Sequence, residues 1–216
     1  AVRTGTQRSG IGRADHIWLS PPGGLWFSFD IYLPYTLPSF ALYTGSCLHR
    51  GLLGLFTSLK GHLSLKWTND LMYDEQKLGG ILCRYNQRNS LYQIGVGINT
   101  NNAIDPDLGK FGAIALKDIL GFKISNEWLC RMLINEMEEH LVEGSNELSF
   151  LTYCNDNLFG KGRWAVVEMG GLKTPAEILG IDTSGALLIR KEMGEYNRVH
   201  TGSILYFLDP SKHEDT

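Results

Sequence analysis

L-K-W-T-N-D-L-M-Y-D-E-Q-K-L-G-G-I-L-C-R-Y-N-Q-R-N-S-L-Y-Q-I-G-V-G-I-N-T-N-N is the run from Leu65 to Asn102, and its reading decides the fold. Three apolar, strand-like segments, Leu63 to Trp67, Leu78 to Tyr85 and Leu91 to Ile98, are punctuated by residues that serve a strand badly. Lys66 lies inside the first, and Asn69-Asp70 follow it. Gly79-Gly80 open the second, and Gly95 and Gly97 interrupt the third before Asn99. Glycine inside a strand pattern marks a bulge or the close approach of a ligand or another backbone. An ordinary meander with awkward glycines explains each one singly. Two glycine-bearing strands beside a strand carrying a lysine read as the floor of a site.

The 216 residues have room for one sizeable domain, or one with a small appendage. With 43% hydrophobic and 20% charged residues the composition is that of a soluble globular protein. A net charge of −3 argues against a broad nucleic-acid footprint. No apolar run approaches the roughly 18 residues of a membrane span, and no signal peptide is legible. Cys47, Cys83, Cys130 and Cys154 lie far apart in apolar periodic segments, as buried thiols do in a reducing compartment. The histidines show no metal-ligand spacing. A cytoplasmic protein without a metal cage is expected. The chain begins at Ala1 rather than methionine, and Val2 to Gln7 already alternates as a strand, so the reading is of a chain entered in mid-fold.

Outward from the central run, Arg8-Ser9-Gly10-Ile11-Gly12-Arg13 reads as a glycine loop. Such a loop can turn backbone N–H groups and an arginine toward an anion; a plain turn with solvated arginines fits it as well. Ser20 to Gly24 is a turn, and Leu25 to Leu33 alternates with period two, predicting a strand with Leu25, Phe27, Phe29, Ile31 and Leu33 on one face. Pro38 to Leu59 predicts a helix with Pro38 in its first turn. Gly45, Gly51 and Gly54 inside it point to close packing on a sheet, since each costs about 1 kcal/mol relative to alanine. After a loop with Pro106, a short helix near Ala113 to Leu120 stops at Gly121. A longer one capped by Ser125 carries an apolar stripe of Trp128, Leu129, Met132, Leu133, Met137 and Leu141. Glu147 to Cys154 extends it as another helix. From about Asn155 the texture changes to five short strands, Trp164 to Met169, Ala176 to Ile181, Ala186 to Lys191, Tyr196 to His200 and Ser203 to Leu208, separated by tight polar turns. That predicts a small β-barrel after an α/β domain, with a polar tail from Asp209.

No Ser/His/Asp or Cys/His arrangement is legible, and no Walker loop is present. A strand lysine, a G-x-G-R segment and a glycine floor suit a reaction whose transition state gathers negative charge on phosphate or carboxylate oxygens. Fixed cations and donors then supply the catalysis without a protein nucleophile.

Lys66-Trp67-Thr68-Asn69-Asp70, Lys77-Leu78-Gly79-Gly80-Ile81-Leu82 and Gly95-Val96-Gly97-Ile98-Asn99 resemble, in order and spacing, the K-W-P-N-D, K-L-x-G-I-L and G-x-G-I-N segments of the biotin protein ligases (biotin–acetyl-CoA-carboxylase ligases). Gln7 to Arg13 with Trp18-x-Ser20-Pro21 resembles that family's Q-x-x-G-R-G-R-x-x-R-x-W-x-S-P segment, and Ile178 to Leu187 its C-terminal domain. The resemblance, which is to the group without an N-terminal DNA-binding domain, implies an α+β fold. It comprises a class II synthetase-like catalytic domain over residues 1–155, a mixed β-sheet with helices packed on it. An SH3-like β-barrel follows over 156–208, then a polar tail over 209–216. It implies an activity in which biotin and ATP, with Mg2+ as Mg-ATP, form biotinyl-5′-AMP. Biotin then passes to a lysine of a biotin carboxyl carrier protein or domain. No DNA and no membrane partner is implied, no protein-bound metal, and a homodimer is a possible assembly.

The resemblance also implies roles. Lys66 bonds the biotin carboxylate and α-phosphate, and Arg13 steadies the phosphates; these two are the catalytic pair. Gln7, Gly10, Ile11, Gly12, Arg13, Trp18, Lys66, Gly79, Gly80, Gly95 and Gly97 contact biotin, the four strand glycines lining a slot in which a Cβ collides with the bicyclic ring. Arg13, Lys66, Asn69, Asp70, Lys77 and Asn99 contact ATP. Departures stand beside these. Ile11 takes the place of an arginine that folds over the adenylate, Ala14-Asp15-His16-Ile17 replaces a more basic run, and Thr68 replaces proline, a change read as mild. A Ser-Thr-Asn-bearing segment expected upstream of Gln7 is not in the sequence, which reads as a missing start. A lipoate ligase-type acyl-protein ligase and a degenerate, non-catalytic biotin- or carrier-binding relative are the alternatives.

Overall fold

The computed structural model describes residues 1–13, 16–33, 36–37, 39–105, 112–142 and 149–209. Several expectations lie outside them: the Ala14-Asp15 run, Pro38 as a first-turn residue, the Pro106 loop, Glu147 and the tail beyond Asp209.

Six strands form the first sheet, β1 (Val2–Thr4), β4 (Leu25–Tyr32), β5 (Leu63–Lys66), β6 (Asp70–Tyr73), β7 (Gln76–Asn86) and β8 (Leu91–Ile98), in the order β1-β4-β8-β7-β6-β5. Every pairing between these strands is antiparallel. The parallel component expected of a mixed sheet is confined to isolated bridges, Leu65 to Leu158 and Lys77 to Ala113. A two-stranded ribbon of β2 (Gly10–Ile11) and β3 (Ile17–Trp18) folds beside the sheet. The G-x-G-R segment is thus partly paired strand rather than loop: Gly10 faces Trp18, and an added Cβ there would stand 2.3 Å from the Trp18 carbonyl oxygen. β1 stops at Thr4 instead of reaching Gln7, because the Thr6 hydroxyl and Gln7 N–H turn to the Ser20 carbonyl. Strand β6 is absent from the sequence reading, in which Asn69-Asp70 were breakers; four residues are too few for an alternation to declare itself.

Helix α1 (Phe40–Leu55) covers the face of the sheet that carries Leu65, Leu71, Ile81 and Ile98. The Ser39 side chain caps it by accepting from the Leu42 N–H, 3.4 Å away. It ends before the expected Leu59: Phe56 is extended, and Thr57–Leu59 form a separate 3-10 turn. Its glycines do different things. Gly45 packs on the sheet, where a Cβ would meet Leu65 and Ile81 at 3.3 and 3.5 Å; Gly51 packs instead on Leu133; Gly54 has open space around it. Leu133 belongs to α3 (Asn126–Val142), which follows the short α2 (Leu116–Leu120) and its left-handed stop at Gly121. The α3 stripe is Leu129, Cys130, Leu133 and Met137; Trp128, expected in it, is 43% exposed.

After α4 (Ser149–Asp156), strands β9 (Trp164–Met169), β10 (Leu172–Ile181), β11 (Leu187–Lys191), β12 (Tyr196–Val199) and β13 (Ser203–Phe207) form an antiparallel sheet in the order β12-β11-β10-β9-β13. The expected barrel strand at Ala176 begins earlier, at Leu172, since the hairpin with β9 continues through Pro175. The two sheets are tied together by the Trp67 indole N–H, which donates to the Gly185 carbonyl at 3.0 Å, and by Leu65, which exchanges backbone bonds with Asn157 and Phe159. Cys47, Cys130 and Cys154 are buried, Cys83 is half-buried, and all four are free thiols.

Candidate active site

Antiparallel register lines up one residue from each strand of the first sheet. Thr4 faces Trp26, Trp26 faces Gly97, Gly97 faces Gly80, Gly80 faces Asp70 and Asp70 faces Lys66. Cross-strand partners point to the same side, so this row presents a face opposite α1. The next row on that side is Val2, Ser28, Gly95 and Leu82. Glycines thus occupy the two central strands, and bare backbone forms a floor between flanking side chains. A cavity of about 650 Å³ stands on it, and all ten of these residues line it.

Strict alternation would send Lys77 to the α1 side. A bulge between β6 and β7 prevents this: Leu71 faces Gly79 but Met72 faces Lys77, so Leu78 and Gly79 both turn to the core and Lys77 turns to the cavity. Its ammonium lies 2.7 Å from Asp70 Oδ1 and 5.0 Å from the Trp18 ring centroid. Lys66, at the end of the row, is only 9% exposed. The third cation, Arg13, comes from the tip of the β2–β3 ribbon, where the Gly12 N–H donates to the His16 carbonyl. Arg13 Nη1 donates to Thr68 Oγ1 at 2.5 Å and Asn69 Oδ1 at 3.3 Å, and Nη2 donates to the Gly202 carbonyl at 2.6 Å. Three cations face the cavity, with Asp70 the single carboxylate in its lining among the described residues. The site favours an anion.

Trp18 covers the floor. Its indole packs edge-on to Trp26, with ring centroids 6.1 Å apart, and lies so close to Gly97 that a Cβ there would stand 2.7 Å from three indole atoms. Over Gly80 the corresponding distance is 3.1 Å. The expected steric role of these two glycines is therefore met first by a side chain of the protein, not by a ligand. Trp18 Nε1 is buried and has no hydrogen-bond partner among the described residues, which makes it an unused donor at the slot.

Of the residues anticipated from sequence, Gln7, Ile11, Gly12, Arg13, Trp18, Lys66, Asn69, Asp70, Lys77, Gly80, Gly95, Gly97 and Asn99 line the cavity together. Two do not. Gly79 faces the core, where a Cβ would meet the Gly97 carbonyl, Ile98 and Leu71; Gly10 serves the approach of β2 to β3. Gln7 accepts from the Ser20 hydroxyl at 2.6 Å, and Asn99 accepts from the Asn102 amide at 3.1 Å. Sequence reading missed Trp26 and Ser28, although the alternation of β4 assigns them to the face opposite Leu25 and Phe27. It also missed Ser203, Ile204 and Leu205 of the second sheet, for which no local signal exists. No group of three or more His, Cys, Asp or Glu side chains among the described residues could hold a metal.

Burial lowers the Lys66 pKa from its ordinary 10.5 to about 8; Asp70 opposes the shift, and Lys77 and Arg13 add to it. Below about pH 8 the lysine is protonated both folded and unfolded, and its burial costs stability. As pH rises from 8 to 10.5 the folded lysine loses its proton first, so this cost is relieved and stability rises. Anion binding shows the opposite dependence. Affinity for an anionic ligand is expected to fall above about pH 8, by up to about tenfold per pH unit, and binding near pH 8.5 to take up protons. Titration calorimetry in two buffers of different ionisation enthalpy measures the uptake; equal heats in both would remove Lys66 from the anion site.

The model of the Biotin/lipoate A/B protein ligase family matches residues 2–101, which carry all the cavity cations. A "Biotin--protein ligase 2" of Arabidopsis thaliana is 32% identical over 109 residues, covering 44% of this chain and 31% of the relative. The "Bifunctional ligase/repressor BirA" of Bacillus subtilis (strain 168) is 27% identical over 205 residues, covering 87% of this chain and 60% of the relative. The chain thus spans from about a third to three fifths of the length of these relatives. Among solved structures, the biotin protein ligase from Aquifex aeolicus in complex with biotin and ATP superposes with a TM-score of 0.80 at 25% identity, over 95% of this chain and 86% of that one. The Leishmania major enzyme with biotinyl-5-AMP shares the fold, with a TM-score of 0.61 at 21% identity over 91% of this chain and 86% of that one.

Proposed function

We propose, on the premise that this chain belongs to the biotin protein ligases of the Biotin/lipoate A/B protein ligase family, that it is an ATP-dependent biotin protein ligase. It forms biotinyl-5′-AMP and transfers biotin to a lysine of a biotin carboxyl carrier domain, in the cytoplasm. The observation that carries this reading is the cavity itself: Arg13, Lys66 and Lys77 converge on a floor of Gly80, Gly95 and Gly97.

In the first step a carboxylate oxygen attacks the α-phosphorus, the bond to the β-phosphate bridging oxygen breaks, and pyrophosphate leaves. Two anions must be brought together, and negative charge then spreads over the equatorial oxygens. Lys66 and Lys77 flank Asp70 on the floor side, and Arg13 stands at the ribbon tip. Together they offset the repulsion and stabilise that charge in a partly buried site, where each cation acts more strongly than in water. Magnesium enters with the nucleotide as Mg-ATP. In the second step the acceptor lysine brings its own nucleophile, attacks the acyl carbon and releases AMP, so the chain needs none.

The test is incubation with biotin, Mg-ATP and an apo carrier domain, followed by mass spectrometry of the carrier. One biotinyl increment on one lysine is expected; an unlabelled carrier would overturn the reading. Ile11, which lines the cavity where the resemblance expects an arginine over the adenylate, favours a second reading, a non-catalytic biotin- or carrier-binding relative, in which biotin binds but no adenylate forms. A lipoate ligase-type activity is separated by repeating the assay with lipoate in place of biotin.

A further inference from the structure

Arg13 has five N–H donors, and three of its hydrogen bonds go to neutral acceptors on two different parts of the fold. Thr68 and Asn69 lie in the β5–β6 turn; Gly202 precedes β13 of the second sheet. A carboxylate in any of these places would bind the guanidinium more tightly and neutralise it. Neutral oxygens hold it while leaving its charge for a ligand. Two of the three acceptors are themselves fixed. The Asn69 Nδ2 donates to the Ile81 carbonyl at 2.9 Å, which turns its Oδ1 toward Arg13. Gly202 is pressed against β9, where an added Cβ would stand 2.2 Å from the Glu168 carbonyl oxygen, so its turn cannot drift. The shortest of the three bonds, 2.5 Å, goes to the Thr68 hydroxyl.

We propose that Thr68 is a positioning residue, whose hydroxyl sets the Arg13 guanidinium across the mouth of the cavity. This rests on the reading that Arg13 faces the nucleotide phosphates. It also revises the expectation that threonine for proline at this place is mild: proline offers no side-chain acceptor, so the bond to Thr68 is a feature of this chain and not of the K-W-P-N-D pattern. The arginine itself is expected in the family's G-R-G-R segment, which Gly10 to Arg13 resembles. Here its anchorage gains a contact 55 residues away in sequence, between the ribbon tip and the turn after Lys66.

Thr68→Val removes the hydroxyl at nearly constant volume, and Thr68→Ser keeps it. In arginine side-chain NMR of the whole chain, Arg13 is expected to show hindered guanidinium rotation in the wild type and in Thr68→Ser, and faster rotation in Thr68→Val. In biotin-dependent pyrophosphate–ATP exchange, Thr68→Val is expected to raise the KM for ATP by about five- to tenfold, short of the full loss of a charge-assisted bond because Asn69 and Gly202 remain. Its kcat falls as well, by up to about the same factor, because the guanidinium is also aimed at the transition-state charge, and Thr68→Ser restores both. An Arg13 rotation rate in Thr68→Val equal to wild type overturns the proposal, as does an unchanged KM. Absence of exchange in the wild type would instead overturn the ligase reading, and the NMR comparison would still decide the role of Thr68.

Discussion

Lys66→Ala is expected to lower the rate of biotinyl-adenylate formation by about 10²- to 10³-fold, the scale seen when one preorganised donor to a developing anion is removed. Lys66 closes the row of the sheet that carries Asp70, Gly80 and Gly97, and it is almost fully buried. Burial brings its pKa to about 8, so at pH 7 it is still a cation in about nine molecules in ten, and one that water screens poorly. Its ammonium is buried at a cost that Asp70 offsets only in part, and negative charge developing nearby offsets more of it, which is the arrangement that favours a charged transition state over the free enzyme. Single-turnover formation of the adenylate, followed by mass spectrometry, is the measurement. Lys77→Ala is the necessary companion, because the β7 bulge places that ammonium over the same floor beside Trp18. A near-normal rate in Lys66→Ala with a collapsed rate in Lys77→Ala would transfer the role to Lys77.

Gly97→Val is expected to weaken biotin binding by about 100-fold or more. A Cβ at Gly97 would stand 2.7 Å from three atoms of the Trp18 indole, too close to persist, and valine adds two methyl groups beyond it. The indole must lift, and with it the β2–β3 ribbon that presents Arg13. Overpacking of this kind costs about 1–3 kcal/mol in stability. Gly95→Ala is the contrast: its nearest neighbour would be the Leu82 carbonyl at 3.9 Å, so stability should change by less than about 0.5 kcal/mol. Equilibrium dialysis with labelled biotin reads the affinity. Trp18→Ala in the Gly97→Val background should recover part of it, since the clash is between those two residues. Unchanged biotin affinity in Gly97→Val would mean that the slot lies elsewhere.

Much of the site was legible because its parts are local. The run from Lys66 to Asn99 holds two of the three cations and the floor glycines, and period-two strands with tight connections bring them into register without help from distant sequence. The facing of each glycine was not legible. Gly79 and Gly80 are adjacent and read alike, yet one packs in the core and the other paves the cavity. The bulge at Leu78, which turns Lys77 toward the cavity, leaves no mark in the pattern of apolar residues. Trp18 was expected to contact biotin, but its seat on Gly97 depends on how the ribbon folds back over the sheet. The bond from Arg13 to the Gly202 carbonyl joins residues 189 apart, and the acceptor is backbone, which any residue type supplies. Thr68 was visible as a departure from a motif, but its partner was not.

Biotin-dependent exchange of labelled pyrophosphate into ATP by this chain, with Mg-ATP and no carrier present, tests the central claim most directly. It isolates the adenylation step for which Arg13, Lys66 and Lys77 are gathered. Exchange that requires biotin and is not supported by lipoate is the predicted result. Saturable biotin binding without any exchange would contradict the account, and would leave the cavity as a binding site alone.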